Sequence, residues 1–300
     1  MEYILRTEEL TKKYSGQTVV DRVSMTVRPG DIYGFVGKNG AGKTTFIRMI
    51  LGLSLPDGGS FSMFDGERMA QARRKTGSLV EGPAIYNNMS AKKNIEIYCR
   101  MLGEDPSQAE DILKTVGLDK TGRKKAGNFS LGMKQRLGIA LALVGDPEFL
   151  VLDEPINGLD PKGIVEVREL LLKLRKEKNK TIFISSHLLG ELEKIATRYG
   201  IISSGKLIEE ITAQELLEKC GSITLIKADP AEKAEEIIRS FLDTDKTEMR
   251  SNNTIAVGAR VENIGALTNE LFKAGVVVEG ISTSDNTAEE YFIKKMEEGE

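Results

Sequence analysis

Gly37-Lys38-Asn39-Gly40-Ala41-Gly42-Lys43-Thr44 reads G-x-x-x-x-G-K-[ST], a pattern that wraps backbone around an anion. It follows the apolar run Asp31-Ile32-Tyr33-Gly34-Phe35-Val36. It opens the stretch from Lys43 to Leu51, whose Phe46, Ile47, Ile50 and Leu51 fall at helical spacing before Gly52 and Pro56 stop it. A strand, a glycine-rich loop and a helix N-terminus in that order aim N–H groups and the positive helix end at one phosphate. Gly37, Gly40 and Gly42 let the backbone approach without Cβ collisions. Lys43 is expected to reach the β and γ phosphates of a nucleotide, and the Thr44 hydroxyl to ligate Mg²⁺. Lys38, Asn39, Ala41 and Thr45 complete the expected binding stretch.

A second constraint comes from Phe149-Leu150-Val151-Leu152-Asp153-Glu154, an apolar strand that ends in two carboxylates. Successive strand residues point to opposite sides, so the two acids have different jobs. Asp153 is expected to hold the magnesium, directly or through water, and Glu154 to face the γ-phosphate and polarise the attacking water. His187 closes the run Thr181-Ile182-Phe183-Ile184-Ser185-Ser186. After a buried parallel strand it would sit at the carboxyl edge of the sheet, where the phosphate loop and Asp153 also emerge. It is the only histidine in 300 residues, which excludes any centre built from several histidines. Cys99 and Cys220 stand far apart, with no zinc or redox spacing.

The remaining patterns organise the chain. The first 36 residues read as strands, punctuated by Gly16 and the Pro29-Gly30-Asp31 turn. Residues from about 86 to 146 read as a mainly helical insertion, with stretches around Asn94–Leu102 and Gln108–Val116. Residues 149–152 and 181–185 are short apolar runs flanking the helical Ile164–Lys176, the look of parallel strands and their crossover helix. Tyr199–Glu210 reads as a hairpin. Past Cys220 the sequence restarts as SITLIKA, AEKAEEIIRSFL, KTEMRS, NTIAVGA, ENIGALTNELFKA and VVVEGIS, a β-α-β-β-α-β order that fits a ferredoxin-like sandwich, followed by a helix from Thr287. The expected division is a domain over 1–220 and an α+β domain over 221–300. The charge follows it: from Gly221 onward 16 acidic residues face 9 basic ones within a net charge of −3, so the first part is basic and suited to anionic ligands. No apolar run approaches the roughly 18 residues needed to span a bilayer, and the N-terminus lacks the apolar core of an export signal.

Phe129-Ser130-Leu131-Gly132-Met133-Lys134-Gln135-Arg136 precedes the helical MKQRLGIALALV and resembles the signature of ABC transporter ATP-binding subunits. It keeps Ser130 and Gly132 of the family's LSGGQ, with Leu131 and Met133 substituted. The resemblance covers residues 3 to about 215. It implies an α/β P-loop NTPase core with an antiparallel β subdomain and the helical insertion. Tyr14 matches the family's adenine-stacking aromatic, Gly158-Leu159-Asp160 the loop after the acid pair, and His187 the switch histidine. Asp160, Ser130 and Gly132 would then touch ATP, the last two on the other protomer's nucleotide, so a dimer of cassettes is implied. Glu81, in Leu79-Val80-Glu81-Gly82-Pro83, stands where most members have glutamine. It would act on metal or water, with a negative charge near phosphates that changes the electrostatics. This change and the SLGMKQR segment resemble the cassettes of bacitracin and lantibiotic self-protection.

The resemblance implies ATP and Mg²⁺ as cofactors, ATP hydrolysis driving a separate integral-membrane permease, and a place on the cytoplasmic face of the membrane, with Ser90 and the insertion near the docking surface. No nucleic-acid partner is expected. The competing reading is a soluble ABC ATPase acting on nucleic acid or ribosomes, which would show as salt-sensitive nucleic-acid binding. A third is a nucleotide-gated binding module with little turnover, suggested by Glu81, Leu131 and Met133.

Overall fold

Short runs centred on consecutive apolar residues bury both faces of a strand, and Ile32–Val36, Phe149–Asp153 and Thr181–Ser186 lie fully inside one sheet. The computed structural model describes all residues except 221, 246, 251–252, 259–260, 262, 286 and 299–300. Outside the described residues therefore lie Gly221, where the second domain is expected to begin, Lys246 and Ser251 of the expected strand KTEMRS, Ala259 of NTIAVGA, and Glu262 of ENIGALTNELFKA. The chain folds into two compact units, Met1–Ala213 with Phe292–Glu300, and Gln214–Tyr291.

In the first unit, β1 (Leu5–Tyr14), β2 (Gln17–Val27), β3 (Ile32–Val36), α1 (Lys43–Ile50), β4 (Gly58–Met63), α2 (Met69–Arg74) and β5 (Thr76–Leu79) come first in the chain. Then follow α3 (Ala91–Leu102), α4 (Ala109–Thr115), α5 (Leu131–Ala142), β6 (Phe149–Asp153), α6 (Pro161–Lys178), β7 (Thr181–Ser186), α7 (Leu189–Leu192), β8 (Arg198–Ser203) and β9 (Lys206–Thr212). β2-β1-β4 form an antiparallel sheet, and β5-β6-β7-β3-β8-β9 a six-stranded sheet that is parallel except for the last hairpin. β1 runs further than its apolar residues suggest, to Tyr14. The Lys13 N–H donates to Asp57 Oδ2 at 2.6 Å, so a side chain continues the ladder beyond the apolar part.

Helix ends follow the local chemistry. Ser90, Ser130 and Asp160 cap α3, α5 and α6 by accepting from Lys93 N–H, Met133 N–H and Gly163 N–H. Pro161 occupies the first turn of α6, and Asn179 closes that helix in the left-handed region. Beneath the phosphate loop the core is aromatic: Phe183 packs on Tyr33, Phe35 and Phe46 with ring centroids 5.6, 5.4 and 6.0 Å apart. Such contacts fix the ring planes as well as bury area.

In the second unit, after α8 (Ala213–Lys219), the order is β10 (Ser222–Asp229), α9 (Ala231–Leu242), β11 (Thr247–Arg250), β12 (Thr254–Val257), α10 (Ile264–Lys273) and β13 (Val277–Asp285). The antiparallel sheet runs β11-β12-β10-β13, the split β-α-β arrangement. Ile226, Ile238, Ile255, Leu267 and Leu271 belong to its core. The chain changes unit after Ala213, not after residue 220. Its last helix, α11 (Ala288–Glu298), also crosses from one unit to the other. Phe292 is fully buried with its ring 5.3 Å from that of Tyr199, and the Ser203 hydroxyl donates to Met296 O. These returning contacts put the C-terminal turns with the first unit.

A buried pair stands behind β3. Tyr33 Oη donates to Glu210 Oε1 at 3.0 Å. Burial pushes the Glu210 carboxyl above its ordinary value of 4.5, against the lowering pull of Tyr33, the Thr26 amide, Arg198 and Arg28. The folded state then holds this proton more tightly than the unfolded chain, so this group's contribution to stability is present at low pH and is lost as pH rises through the raised folded value. Glu210→Gln keeps an acceptor for Tyr33 and removes the titration. Denaturant unfolding at pH 5 and pH 8 is expected to show a smaller loss of stability across that interval for the variant than for the wild type.

Candidate active site

The phosphate loop is held by contacts that only glycine permits at two points. Gly42, the residue before α1, has φ 103°, and a Cβ there would stand 2.6 Å from Val19 O; at Gly37 it would stand 2.4 Å from Ile202 O. Gly37 N–H donates to Ser186 O, which ties the loop to the end of β7. Lys43 is 6% exposed. Its Nζ donates to Gly37 O at 2.7 Å and Lys38 O at 3.1 Å and lies 3.3 Å from Glu154 Oε1. Asn39, Gly40, Gly42, Lys43, Thr44, Thr45 and Glu154 line a cavity of about 250 Å³, together with Val19 from β2. Val19 is a wall that the sequence does not single out.

The parallel register sets the acids. Asp153 of β6 pairs with Ser185 of β7, and Val36 of β3 with Ser186, so three strands end at one edge. Asp153, 6% exposed, accepts from Thr44 Oγ1 at 2.9 Å and from Ser185 Oγ at 2.5 Å. Glu154 has φ 47°, a left-handed backbone uncommon for a residue with a side chain. Its N–H is held at Ser185 Oγ and O at 3.0 and 3.2 Å. The turn points its carboxylate back toward Lys43, with His187 Nδ1 2.9 Å from Oε2. An ionised carboxylate only accepts, so Nδ1 carries the proton in this contact. Ser185 is fully buried and bonded to both acids. Sequence reasoning passes over it, because a serine at a strand end is commonplace and only the register makes it a neighbour of Asp153.

The other expected site residues lie in separate places. Tyr14 is exposed at the β1–β2 turn, its hydroxyl 3.4 Å from Ser54 Oγ and its ring 5.3 Å from Lys12 Nζ. Ser130 and Gly132 form a second cluster with the Asp160 loop. A Cβ on Gly132 would stand 3.5 Å from Gly163 Cα, and one on Gly158 would stand 3.4 Å from the Leu131 side chain. Ser130 Oγ is 3.3 Å from Met133 N, and Asp160 Oδ1 is 3.0 Å from Gly163 N. The capped N-termini of α5 and α6 are thus packed side by side. Glu81 has φ 59° and is paired with Arg48 of α1. Its carboxylate belongs to that ion pair, whereas Thr44 and Asp153 hold each other.

This chain thus presents an anion cradle at a helix N-terminus, a buried lysine, a hydroxyl–carboxylate pair and a carboxylate–histidine pair, all on one edge of a parallel sheet. These features define a P-loop ATPase of the ATP-binding cassette class. The ABC transporter family profile matches residues 20–157. The bacitracin transport ATP-binding protein BcrA of Bacillus licheniformis is 42% identical over 98% of this chain and 97% of its own. The lantibiotic transport ATP-binding protein SrtF of Streptococcus pyogenes is 41% identical over 72% of this chain and 95% of its own. The chain belongs to the ABC transporter ATP-binding proteins, and it is the ATP-binding, ATP-hydrolysing subunit of such a transporter. A solved ATP-binding subunit of an ABC transporter superposes with a TM-score of 0.63 at 28% identity, covering 72% of this chain and 92% of that one. The ADP conformation of another cassette gives 0.64 at 26%, covering 72% and 93%. Relatives named for transport favour the transport reading over action on nucleic acid or ribosomes. Among the described residues no helix is long and apolar enough to cross a membrane.

Ser185→Ala removes the donor to Asp153 and one acceptor for Glu154 N–H. A buried carboxylate that loses a hydrogen bond costs about 1–3 kcal/mol. Thermal unfolding is expected to fall accordingly and ATP turnover to drop about tenfold or more, with the cradle still binding nucleotide. An unchanged turnover would remove Ser185 from the site.

Proposed function

We propose that this chain powers a membrane permease that moves bacitracin-like or lantibiotic-like peptides, working at the cytoplasmic face of the membrane as a pair of cassettes. The observation that carries this reading is the likeness to BcrA over nearly the whole of both chains, together with the complete hydrolytic edge. Glu81 and the Ser130-Leu131-Gly132-Met133 signature variant support the same subgroup.

The roles follow from the geometry. The loop amides from Gly37 to Thr45 cradle the β and γ phosphates, and Lys43 turns its ammonium from Gly37 O and Glu154 to the phosphate oxygens. Tyr14 offers a ring to the adenine. The Thr44 hydroxyl and Asp153 carboxylate are hard oxygen donors 2.9 Å apart beside the cradle, a set that suits Mg²⁺ shared with phosphates and water. Held by Thr44 and Asp153, such an ion would supply positive charge to offset that of the phosphates. Glu154 accepts the proton of the attacking water, and His187, donating from Nδ1, holds that carboxylate in place. Glu81 acts through Arg48, tying the segment after β5 to α1. The paired α5 and α6 ends supply Ser130, Gly132 and Asp160 to the nucleotide of a second copy, so each copy carries two half-sites. Gln214–Tyr291 form an accessory module.

Two variants separate binding from turnover. Glu154→Gln is expected to retain ATP binding while turnover falls about 10²- to 10⁴-fold, and Lys43→Ala to lose binding itself. The physiological test measures the bacitracin and nisin tolerance of a sensitive bacterium expressing the chain with its permease. Wild type is expected to raise tolerance and Glu154→Gln to abolish the rise. Tolerance that persists in the Glu154 variant would overturn the transport reading.

A further inference from the structure

Arg136 lies on α5 and joins three elements. Its Nη2 is 3.1 Å from Glu166 Oε2 of α6. Its Nη1 donates to Val116 O and Gly117 O, each at 3.1 Å, where α4 ends. A Cβ on Gly117 would stand 3.0 Å from that Nη1, so the glycine makes room for the guanidinium. The other oxygen of Glu166 is 4.0 Å from the exposed Lys162.

Spacing connects this junction to the half-site above it. Gly132 and Arg136 are four residues apart on α5, and Gly163 and Glu166 three apart on α6, so each pair shares one face of its helix. Gly132 faces Gly163 at the first turn, where a Cβ on Gly132 would stand 3.5 Å from Gly163 Cα. Arg136 meets Glu166 one turn further along both helices. The glycines have no side chains to stop one helix sliding on the other. The ion pair does, because a planar guanidinium bonded at once to α4 and α6 accepts little displacement. It therefore sets the height of the Ser130 cap against the Asp160 cap, the two ends that form the second half-site. Stability alone is a poor account of the same group. The Arg136 side chain is 14% exposed, and its Nε is buried with no hydrogen-bond partner among the described residues. An apolar side chain of similar length would avoid that desolvation.

We infer that Arg136 is a positioning residue for ATP hydrolysis. Through Glu166 and the end of α4 it fixes the half-site of Ser130, Gly132 and Asp160, so its loss impairs the nucleotide site completed on a second copy and spares the cradle on its own. This rests on the paired reading above.

The test uses full-length chains carrying Arg136→Met, Glu166→Gln, Lys43→Ala or Gly132→Asp, the last placing a carboxylate where a phosphate is to be addressed. Arg136→Met is expected to lower ATP turnover about tenfold to a hundredfold, and Glu166→Gln to lower it less. The affinity of each for a fluorescent ATP analogue and its unfolding temperature are expected to stay at the wild-type value. If Arg136→Met unfolds early, Glu166→Gln, on a half-buried side chain, decides. Equal mixtures then show which copy is harmed. In a mixed pair of Arg136→Met with Lys43→Ala, one nucleotide site takes its cradle from the Arg136 variant and its α5 and α6 ends from the Lys43 variant, and both parts are intact. Such mixtures, and those of Glu166→Gln with Lys43→Ala, are expected to turn over ATP several-fold faster than the Lys43 variant alone and faster than half the rate of the other variant. The mixture of Lys43→Ala with Gly132→Asp is the control and is expected to recover likewise. Recovery of the control without recovery of the Arg136 and Glu166 mixtures overturns the inference. So does wild-type turnover in either single variant, or a weakened cradle affinity in Glu166→Gln. No recovery in the control overturns the paired reading itself, and the inference with it.

Discussion

The pairing of Asp153 with Ser185 across parallel strands is the contact on which the site turns. Parallel strands align their carboxyl ends, and the register of β7 with β6 on one side and β3 on the other brings Asp153, Ser185 and the start of the phosphate loop to one edge. A shift of one residue would turn every side chain of a strand to the opposite face. It would separate Thr44 from Asp153 and remove the serine that holds both acids. The buried aromatic layer of Tyr33, Phe35, Phe46 and Phe183 resists such a shift, because the rings interlock β3, β7 and α1 beneath the loop.

Much of this edge is legible in the sequence because its parts are local. A glycine loop between a strand and a helix, two carboxylates at a strand end and a histidine after another strand each announce themselves within a few residues. The contributors that escape are those made by tertiary neighbours. Ser185 works through register and Val19 through the approach of β2 to the loop. The boundary between the units is drawn by Phe292 returning to Tyr199, a contact between residues far apart in the chain. Glu81 is legible as a departure from the family, yet its partner Arg48 emerges only once α1 and the segment after β5 lie together. The β-α-β-β-α-β reading of the second unit is legible for the opposite reason, since each element alternates plainly between short strand and amphipathic helix.

The separation of Ser130, Gly132 and Asp160 from the phosphate loop follows from the same topology. Glu154 and Asp160 stand only six positions apart, but the left-handed turn at Glu154 and the Gly158 turn send the chain from the sheet edge to the capped start of α6. The two helix N-termini that gather there are built like the one after the phosphate loop, as amide clusters at the positive end of a dipole. Two such surfaces on one chain, only one of them beside a buried lysine, are the physical basis for the paired arrangement proposed above, in which each would be half of a phosphate enclosure.

Lys43 joins binding to chemistry. An ammonium buried in an apolar setting would be costly, but here two carbonyls and Glu154 satisfy its donors. Its desolvation is therefore met within the folded chain, and an arriving phosphate exchanges one anionic partner for another. In the roles proposed above, Lys43 leaves Glu154 Oε1 for the phosphate while His187 Nδ1 still holds Oε2 and Ser185 still anchors the Glu154 N–H, so filling the cradle leaves one carboxylate oxygen free to face the attacking water.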